Sequence, residues 1–90
     1  MSQEYRYYAI VRSGWSKEEP FAVAREREDP PGVPWVETYT RNLQWEPSTR
    51  LTAIRAGRSD DDAEPITSDV VDRFIARMHR SVELKEQGEQ

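Results

Sequence analysis

The alternation of apolar and polar residues predicts three strands in the first half of the chain. Residues 5–12 (YRYYAIVR) are rich in tyrosine and branched side chains, and they end at a Ser-Gly pair. Residues 21–28 begin apolar and end charged, and residues 35–43 place their aromatic side chains on one parity. Because neither parity of residues 5–12 is cleanly polar, we expect a central strand that is covered on one face and partly covered on the other.

The second half of the chain predicts one amphipathic helix over about residues 68–83. Its apolar residues repeat at the spacing of a single helical stripe. Thr67 is a suitable N-cap, and Ile66 before it can pack on Val71. Residues 49–58 fit either a short helix or a strand, and we slightly favour the helix.

The segments between these elements carry prolines, glycines or charge runs, and they predict loops at residues 13–20, 29–34 and 59–64. The predicted fold class is therefore α+β, a three- to four-stranded antiparallel sheet with one C-terminal amphipathic helix packed on one face. We expect residues 1–84 to form this single domain and the polar residues 85–90 to form a disordered tail.

Composition and charge exclude several classes of protein. The 90-residue chain has no cysteine, which removes disulfides, thiolate metal sites and cysteine nucleophiles. It shows no apolar leader and no apolar run near the roughly 20 residues of a membrane span, so we expect a cytoplasmic protein without a membrane partner. The net charge is −4, and the acidic surplus lies in residues 59–90, with nine acidic against four basic side chains. This balance argues against nucleic-acid binding, which usually needs a basic surplus.

No constellation of catalytic or metal-binding residues is apparent. His79 stands alone and is expected at the surface, and the aspartates of residues 60–62 lack the spacing of a calcium loop. The four glycines are isolated, so no phosphate-binding loop can be written. The sequence therefore predicts no enzyme, no catalytic residue, no metal site and no cofactor.

The aromatic residues are the suggestive feature, because eight of the nine lie between Tyr5 and Trp45. A single helix covers one face of a small sheet, so some aromatic residues are left for the other face. We expect a core formed by Tyr8, Phe21, Trp35, Tyr39 and Phe74, with Trp45 wedged between helix and sheet. The aromatic residues left over, with the arginines beside them, are the candidate binding residues Tyr5, Arg6, Tyr7, Arg12 and Trp15.

Landmarks spread over most of the chain resemble those of a known group. They are YYAIVR at residues 7–12, LQWEPS at 43–48, the aspartates at 60–62 and the Ile66-Thr67 pair before the helix. This pattern is similar to a set of small uncharacterised actinobacterial proteins. The eleven arginines against two lysines also favour such a high-GC source. The resemblance implies no established activity.

These observations favour a small accessory module that binds a protein partner or a second copy of itself as a homodimer. Arginine, tryptophan and tyrosine are common at the energetic centres of protein interfaces. One alternative is a small-ligand pocket lined by Trp15, Trp35 and Trp45. Another is weak single-stranded nucleic-acid binding through Tyr5, Tyr7 and Arg6, since aromatic side chains on a sheet can stack bases.

Overall fold

The computed structural model describes residues 5–88, without the side chains of residues 85–88. The predicted absence of a leader at residues 1–4 and the predicted disorder of residues 89–90 lie outside this range. Within it, no helix is long and apolar enough to cross a membrane. The described chain forms, in order, β1 (Arg6–Val11), β2 (Ala22–Glu28), β3 (Pro34–Tyr39), β4 (Trp45–Pro47), α1 (Arg50–Arg55), β5 (Asp62–Ile66) and α2 (Ser68–Gly88).

The strands form one antiparallel sheet in the order β4-β3-β2-β1-β5. Strand β1 lies inside the sheet between β2 and β5, and its Tyr8 lies opposite Ala24 of β2 and Pro65 of β5. The predicted α+β class with an antiparallel sheet is confirmed, but the strand count is higher than predicted. Strand β4 is only three residues long, and β5 contains acidic residues and a proline. Such residues are typical of edge strands, and they made this segment look like a loop in the sequence.

Helix α2 packs on one face of the sheet, as the amphipathic pattern predicts. The buried residues on this face are Val23, Tyr39, Val71 and Phe74, and Ile66 packs against them at the helix start. The helix begins at Ser68, as expected, and ends at Gly88 instead of near residue 83.

Helix α1 packs on the opposite face, and it settles residues 49–58 in favour of a short helix. Its Leu51 is fully buried, and Ile54 packs against a second core of Ile10, Ala22 and Ala24. The expectation of one helix on one face is therefore incomplete, because both faces of the sheet are covered.

The alternating side chains of β1 point to the faces opposite to those expected from the sequence. Tyr7 packs against the core beneath α2, whereas Ile10 belongs to the core beneath α1, and the Arg55 guanidinium lies 5.2 Å from the Tyr8 ring centroid. The expectation that Tyr7 lies on an uncovered face is wrong. Both parities carry apolar residues, so the sequence alone does not show which one faces the longer helix.

Trp35 also departs from the predicted core, because it is 40% exposed. It lies near the start of β3, opposite Arg27 of β2. By contrast, Tyr39 and Phe74 are buried as expected, and Tyr8, Phe21 and Trp45 are half-buried.

Candidate functional site

The five candidate binding residues do not share one surface. Tyr5 and Tyr7 lie together on the α2 side of the sheet, with ring centroids 6.3 Å apart. Arg6 has the opposite parity and contacts Glu26, which belongs to the α1 side. Arg12 and Trp15 lie at the far end of β1 and in the loop that follows it.

Tyr5 and Tyr7 belong to a cluster centred on Arg25, which we call the arginine–aromatic cluster and define as Tyr5, Tyr7, Arg25, Glu37 and Trp45. Tyr7, Arg25 and Glu37 are cross-strand neighbours in one row. The Arg25 guanidinium lies 4.1 Å from the Tyr5 ring centroid and 4.4 Å from that of Trp45, and its Nε donates a hydrogen bond to Glu37 Oε1 at 2.7 Å. Glu37 neutralises the charge of Arg25, and the rings of Tyr5 and Trp45 cover its guanidinium. We therefore interpret the cluster as a structural unit.

The cluster continues into the core through Tyr39. Trp45 packs edge-to-face on Tyr39 with ring centroids 5.3 Å apart, and the Tyr39 hydroxyl lies 2.8 Å from His79 Nε2. His79, expected at the surface, is half-buried there. This hydrogen bond joins β3 to α2 and gives the sole histidine of the chain a structural partner.

Arg6 takes part in a bridge between the sheet and α1. Glu26 is 3% exposed, and its carboxylate accepts hydrogen bonds from Arg55 at 2.6 and 3.1 Å and from Arg6 at 3.3 Å. These hydrogen bonds, first that from Arg55, hold the pKa of Glu26 below its ordinary value. The sequence does not single out Glu26 as a buried carboxylate, although this residue shares the parity of Ala22 and Ala24, which are buried beneath α1.

Arg12 connects β1 to the acidic segment. Its Nε and Nη2 donate hydrogen bonds to the two carboxylate oxygens of Asp61, each at 3.0 Å, and its guanidinium lies 3.7 Å from the Phe21 ring centroid. The Arg12 hydrogen bond lowers the pKa of Asp61. One aspartate of the acidic run therefore anchors the approach to β5.

Trp15 lines a cleft between α2 and the loops at one end of the sheet, which we call the loop cleft. The cleft has a volume of about 250 Å³. The Trp15 side chain is 47% exposed and packs edge-to-face on Phe21, with ring centroids 5.6 Å apart. The lining residues are Trp15, Pro20, Phe21, Arg41, Phe74, Arg77, Met78, Ser81 and Val82.

The backbone of residues 12–21 holds Trp15 at the mouth of the cleft. The Trp15 N–H donates to the Arg12 carbonyl at 2.9 Å, and the Phe21 N–H donates to the Ile10 carbonyl at 3.0 Å. Between them, Ser16 and Glu19 exchange backbone hydrogen bonds, and Pro20 is fully buried. The loop is therefore hydrogen-bonded at both ends, and Trp15 is presented from an ordered turn.

The charged side chains that line the loop cleft are all positive. Arg41 comes from the β3–β4 turn and Arg77 from α2, and no acidic side chain lines the cleft in the described chain. Neither arginine makes a salt bridge with a described residue, and the Arg77 guanidinium lies 5.9 Å from the Phe74 ring centroid. The cleft therefore suits an apolar group with a negative charge beside it. The sequence does not indicate that these two arginines share a site, because they lie 36 positions apart in the chain.

The expected pocket of three tryptophans does not form. Trp15 lines the loop cleft, and Trp35 borders a separate shallow groove with Pro34 and Pro47. Trp45 packs in the arginine–aromatic cluster. The three side chains come from separate strands and loops, and the fold places them apart.

The comparisons with known proteins assign neither a family nor a function to the chain. Among the side chains that the structure describes, those of residues 5–84, no group of three or more histidine, cysteine, aspartate or glutamate residues is arranged to hold a metal ion. No protein-family model, no curated protein and no solved structure matches the chain.

Proposed function

We propose that the protein is a non-enzymatic interaction module that holds an apolar side chain of a partner protein in the loop cleft. The observation that carries this proposal is the exposed Trp15 at the mouth of an apolar cleft that also presents Arg41 and Arg77. Tryptophan and arginine are the residues most often found at the energetic centre of protein interfaces. The cytoplasm stays the expected compartment, on the cysteine-free composition.

The size of the cleft favours a side chain over a metabolite. Sites for small molecules usually enclose about 300–1,000 Å³ and bury most of the ligand. The loop cleft, at about 250 Å³, is slightly smaller and is open at its mouth. It has room for one leucine, phenylalanine or methionine side chain anchored from a larger partner.

The two alternatives have weaker support. A small ligand with an apolar body and a carboxylate would meet the same groups in the loop cleft, and it stays the second candidate. Single-stranded nucleic acid is less favoured, because Tyr5 and Tyr7 lie on the opposite side of the sheet from Arg6, and the net charge is −4.

The proposal can be tested by NMR, because each of the three tryptophans gives its own indole N–H signal. The probe is a capped peptide with one phenylalanine in a glycine-serine background, and its control carries alanine instead. We expect the phenylalanine peptide to shift the Trp15 indole signal and to leave the Trp35 and Trp45 signals in place. A short aromatic carboxylate serves as the small-ligand probe.

Two variants complete this test. Trp15→Ala should abolish the shifts of the backbone signals around the cleft, whereas Trp35→Phe should leave them unchanged. Both side chains are at least 40% exposed, so we expect both variants to fold. Shifts that centre on Trp35 or Trp45, or none at millimolar peptide, would contradict the proposal. A response to the carboxylate alone would favour the small-ligand alternative.

A further inference from the structure

We infer that the partner segment held by the loop cleft is acidic, and that an arginine stripe on α2 binds its carboxylates. This inference rests on the proposed function and names the chemistry of the partner. The arginine stripe consists of Arg73, Arg77 and Arg80, with Arg41 beside it across the cleft.

The helix geometry places these side chains on one line. At about 100° per residue, Arg73, Arg77 and Arg80 lie within about 60° of one another around the helix axis. Leu84 falls on the same line and is 62% exposed. The stripe therefore borders the cleft at Arg77 and spans about 16 Å along α2, from Arg73 to the exposed apolar side chain of Leu84.

Most arginines outside the stripe and the cleft are paired with carboxylates, although Arg50 and Arg58 form no salt bridge with a described residue. Arg6, Arg12, Arg25, Arg27 and Arg55 all form salt bridges with aspartate or glutamate. By comparison, Arg41, Arg73, Arg77 and Arg80 are all exposed, and none forms a salt bridge with a residue that the structure describes.

The acidic net charge makes this arrangement informative. A chain with 17 acidic and 13 basic side chains has enough carboxylates to pair every arginine. Yet Arg41 and Arg77, which line the apolar cleft, form no salt bridge with a described residue, and neither do Arg73 and Arg80 on the outer side of α2. Charge complementarity across an interface selects the partner and speeds its association. A segment with one bulky apolar residue flanked by aspartate or glutamate would match the cleft and the stripe together.

An acidic peptide fits this surface better than nucleic acid does. Phosphates could pair with the same arginines, but the cleft between them is lined by Pro20, Phe74, Met78 and Val82, which favour an apolar side chain. The overall charge of −4 also opposes a polyanion. Oligonucleotide binding is therefore kept as an outcome of the test.

The experiment compares three capped peptides that share one central phenylalanine and differ in the flanking residues, which are glutamate, serine or lysine. Fluorescence anisotropy of labelled peptides is measured with the full chain at low salt. We expect the glutamate peptide to bind at least about tenfold more tightly than the serine peptide, and the lysine peptide to bind least. Raising the salt to about 0.5 M should remove most of this preference, because the charges are exposed.

The double variant Arg77→Glu with Arg80→Glu should reverse the order of the glutamate and lysine peptides. Arg77→Lys with Arg80→Lys is the control that keeps the charge, and Arg58→Glu is a charge reversal at an exposed position outside the stripe. Both controls should keep the original order. NMR spectra of each variant verify that it is folded.

The outcomes separate this inference from the proposed function. Equal binding of the three peptides, with loss of binding in Trp15→Ala, would overturn the acidic partner and leave the cleft as an anchor site. Tight binding of a 20-nucleotide oligothymidine that Arg77→Glu with Arg80→Glu abolishes, without binding of the glutamate peptide, would also overturn it. The inference is supported if Arg77→Glu with Arg80→Glu reverses the peptide preference and the two control variants keep it.

Discussion

Arginine, at the scale of single residues, joins the elements of this fold. Arg55 hydrogen-bonds α1 to Glu26 of β2, and Arg12 hydrogen-bonds β1 to Asp61 before β5. The Arg25 guanidinium contacts the rings of Tyr5 and Trp45. In the first two pairs the guanidinium donates two hydrogen bonds to one carboxylate, a geometry that lysine lacks. The excess of arginine over lysine in the sequence therefore has structural uses, whatever its origin in codon composition.

Glu26→Gln is expected to lower the free energy of unfolding by about 1–2 kcal/mol at pH 7, because a buried carboxylate loses its charge-assisted hydrogen bonds. The partners Arg6 and Arg55 are about half exposed, which keeps the effect moderate. Urea unfolding followed by tryptophan fluorescence measures it. Glu28→Gln, at the exposed end of the same strand, is the matched control and should change stability little.

The same pair of proteins should show a defined pH dependence. The folded pKa of Glu26 is lowered, so its contribution is fully present above the unfolded value near 4.5 and is lost as the pH falls through the folded pKa. The stability difference between the natural chain and Glu26→Gln should therefore shrink below about pH 4.5. A difference that stays constant down to pH 3 would show that the carboxylate charge does not stabilise the fold.

Helix α1 shows, at the scale of elements, how packing compensates for weak local preference. It has six residues, far fewer than an isolated helix needs in water, and Thr49 makes no side-chain cap bond. Its stability comes from tertiary contacts, which are the fully buried Leu51, Ile54 against the sheet, and the hydrogen bonds from Arg55 to Glu26. Because the pattern over residues 49–58 is so short, the sequence is compatible with either a helix or a strand there.

Leu51→Ala should lower the free energy of unfolding by about 2–5 kcal/mol, because it removes a fully buried side chain and leaves a cavity. Thr52→Ala, at the next and exposed position of α1, should change it by less than about 0.5 kcal/mol. Thermal and urea unfolding of both variants provides the measurement. Similar stabilities would mean that α1 does not close this face of the sheet.

The whole molecule is a sheet with a helix on each face, so its core is divided in two. Strands β1 and β2 lie between other strands and carry the fully buried residues Ala9, Ile10, Val23 and Ala24. Strands β4 and β5 form the edges, with few buried side chains. Stability should therefore be highest at the centre of the sheet and decrease toward both edges.

Hydrogen exchange measures this gradient. We expect the amides of residues 8–10 and 23–25 to exchange slowest, at rates set by global unfolding, and those of β4 and β5 to exchange at least about tenfold faster through local opening. Exchange of β5 as slow as that of β1 would contradict the assignment of β5 as an exposed edge.

The candidate site was predictable only in part, and the reason differs from residue to residue. Trp15 is a large aromatic residue in a polar loop, so its role at a surface could be proposed from the sequence. Arg41 and Arg77 look like ordinary surface arginines, because nothing local shows that a turn and a distant helix bring them to one cleft. Tyr5 and Tyr7 lie side by side, but in a packed cluster on the α2 side of the sheet, where another strand supplies their neighbour Arg25.

The sequence by itself determined the α+β class, the antiparallel sheet and the position where α2 begins, because these follow from hydrophobic periodicity and capping within short segments. Only the tertiary structure decided which parity of β1 faces α2, that β5 completes the sheet, and that Arg41 and Arg77 border one cleft. Those features depend on contacts between segments far apart in the chain. A local sequence pattern indicates that one face of a strand or helix is apolar. Only tertiary packing decides which element covers that face.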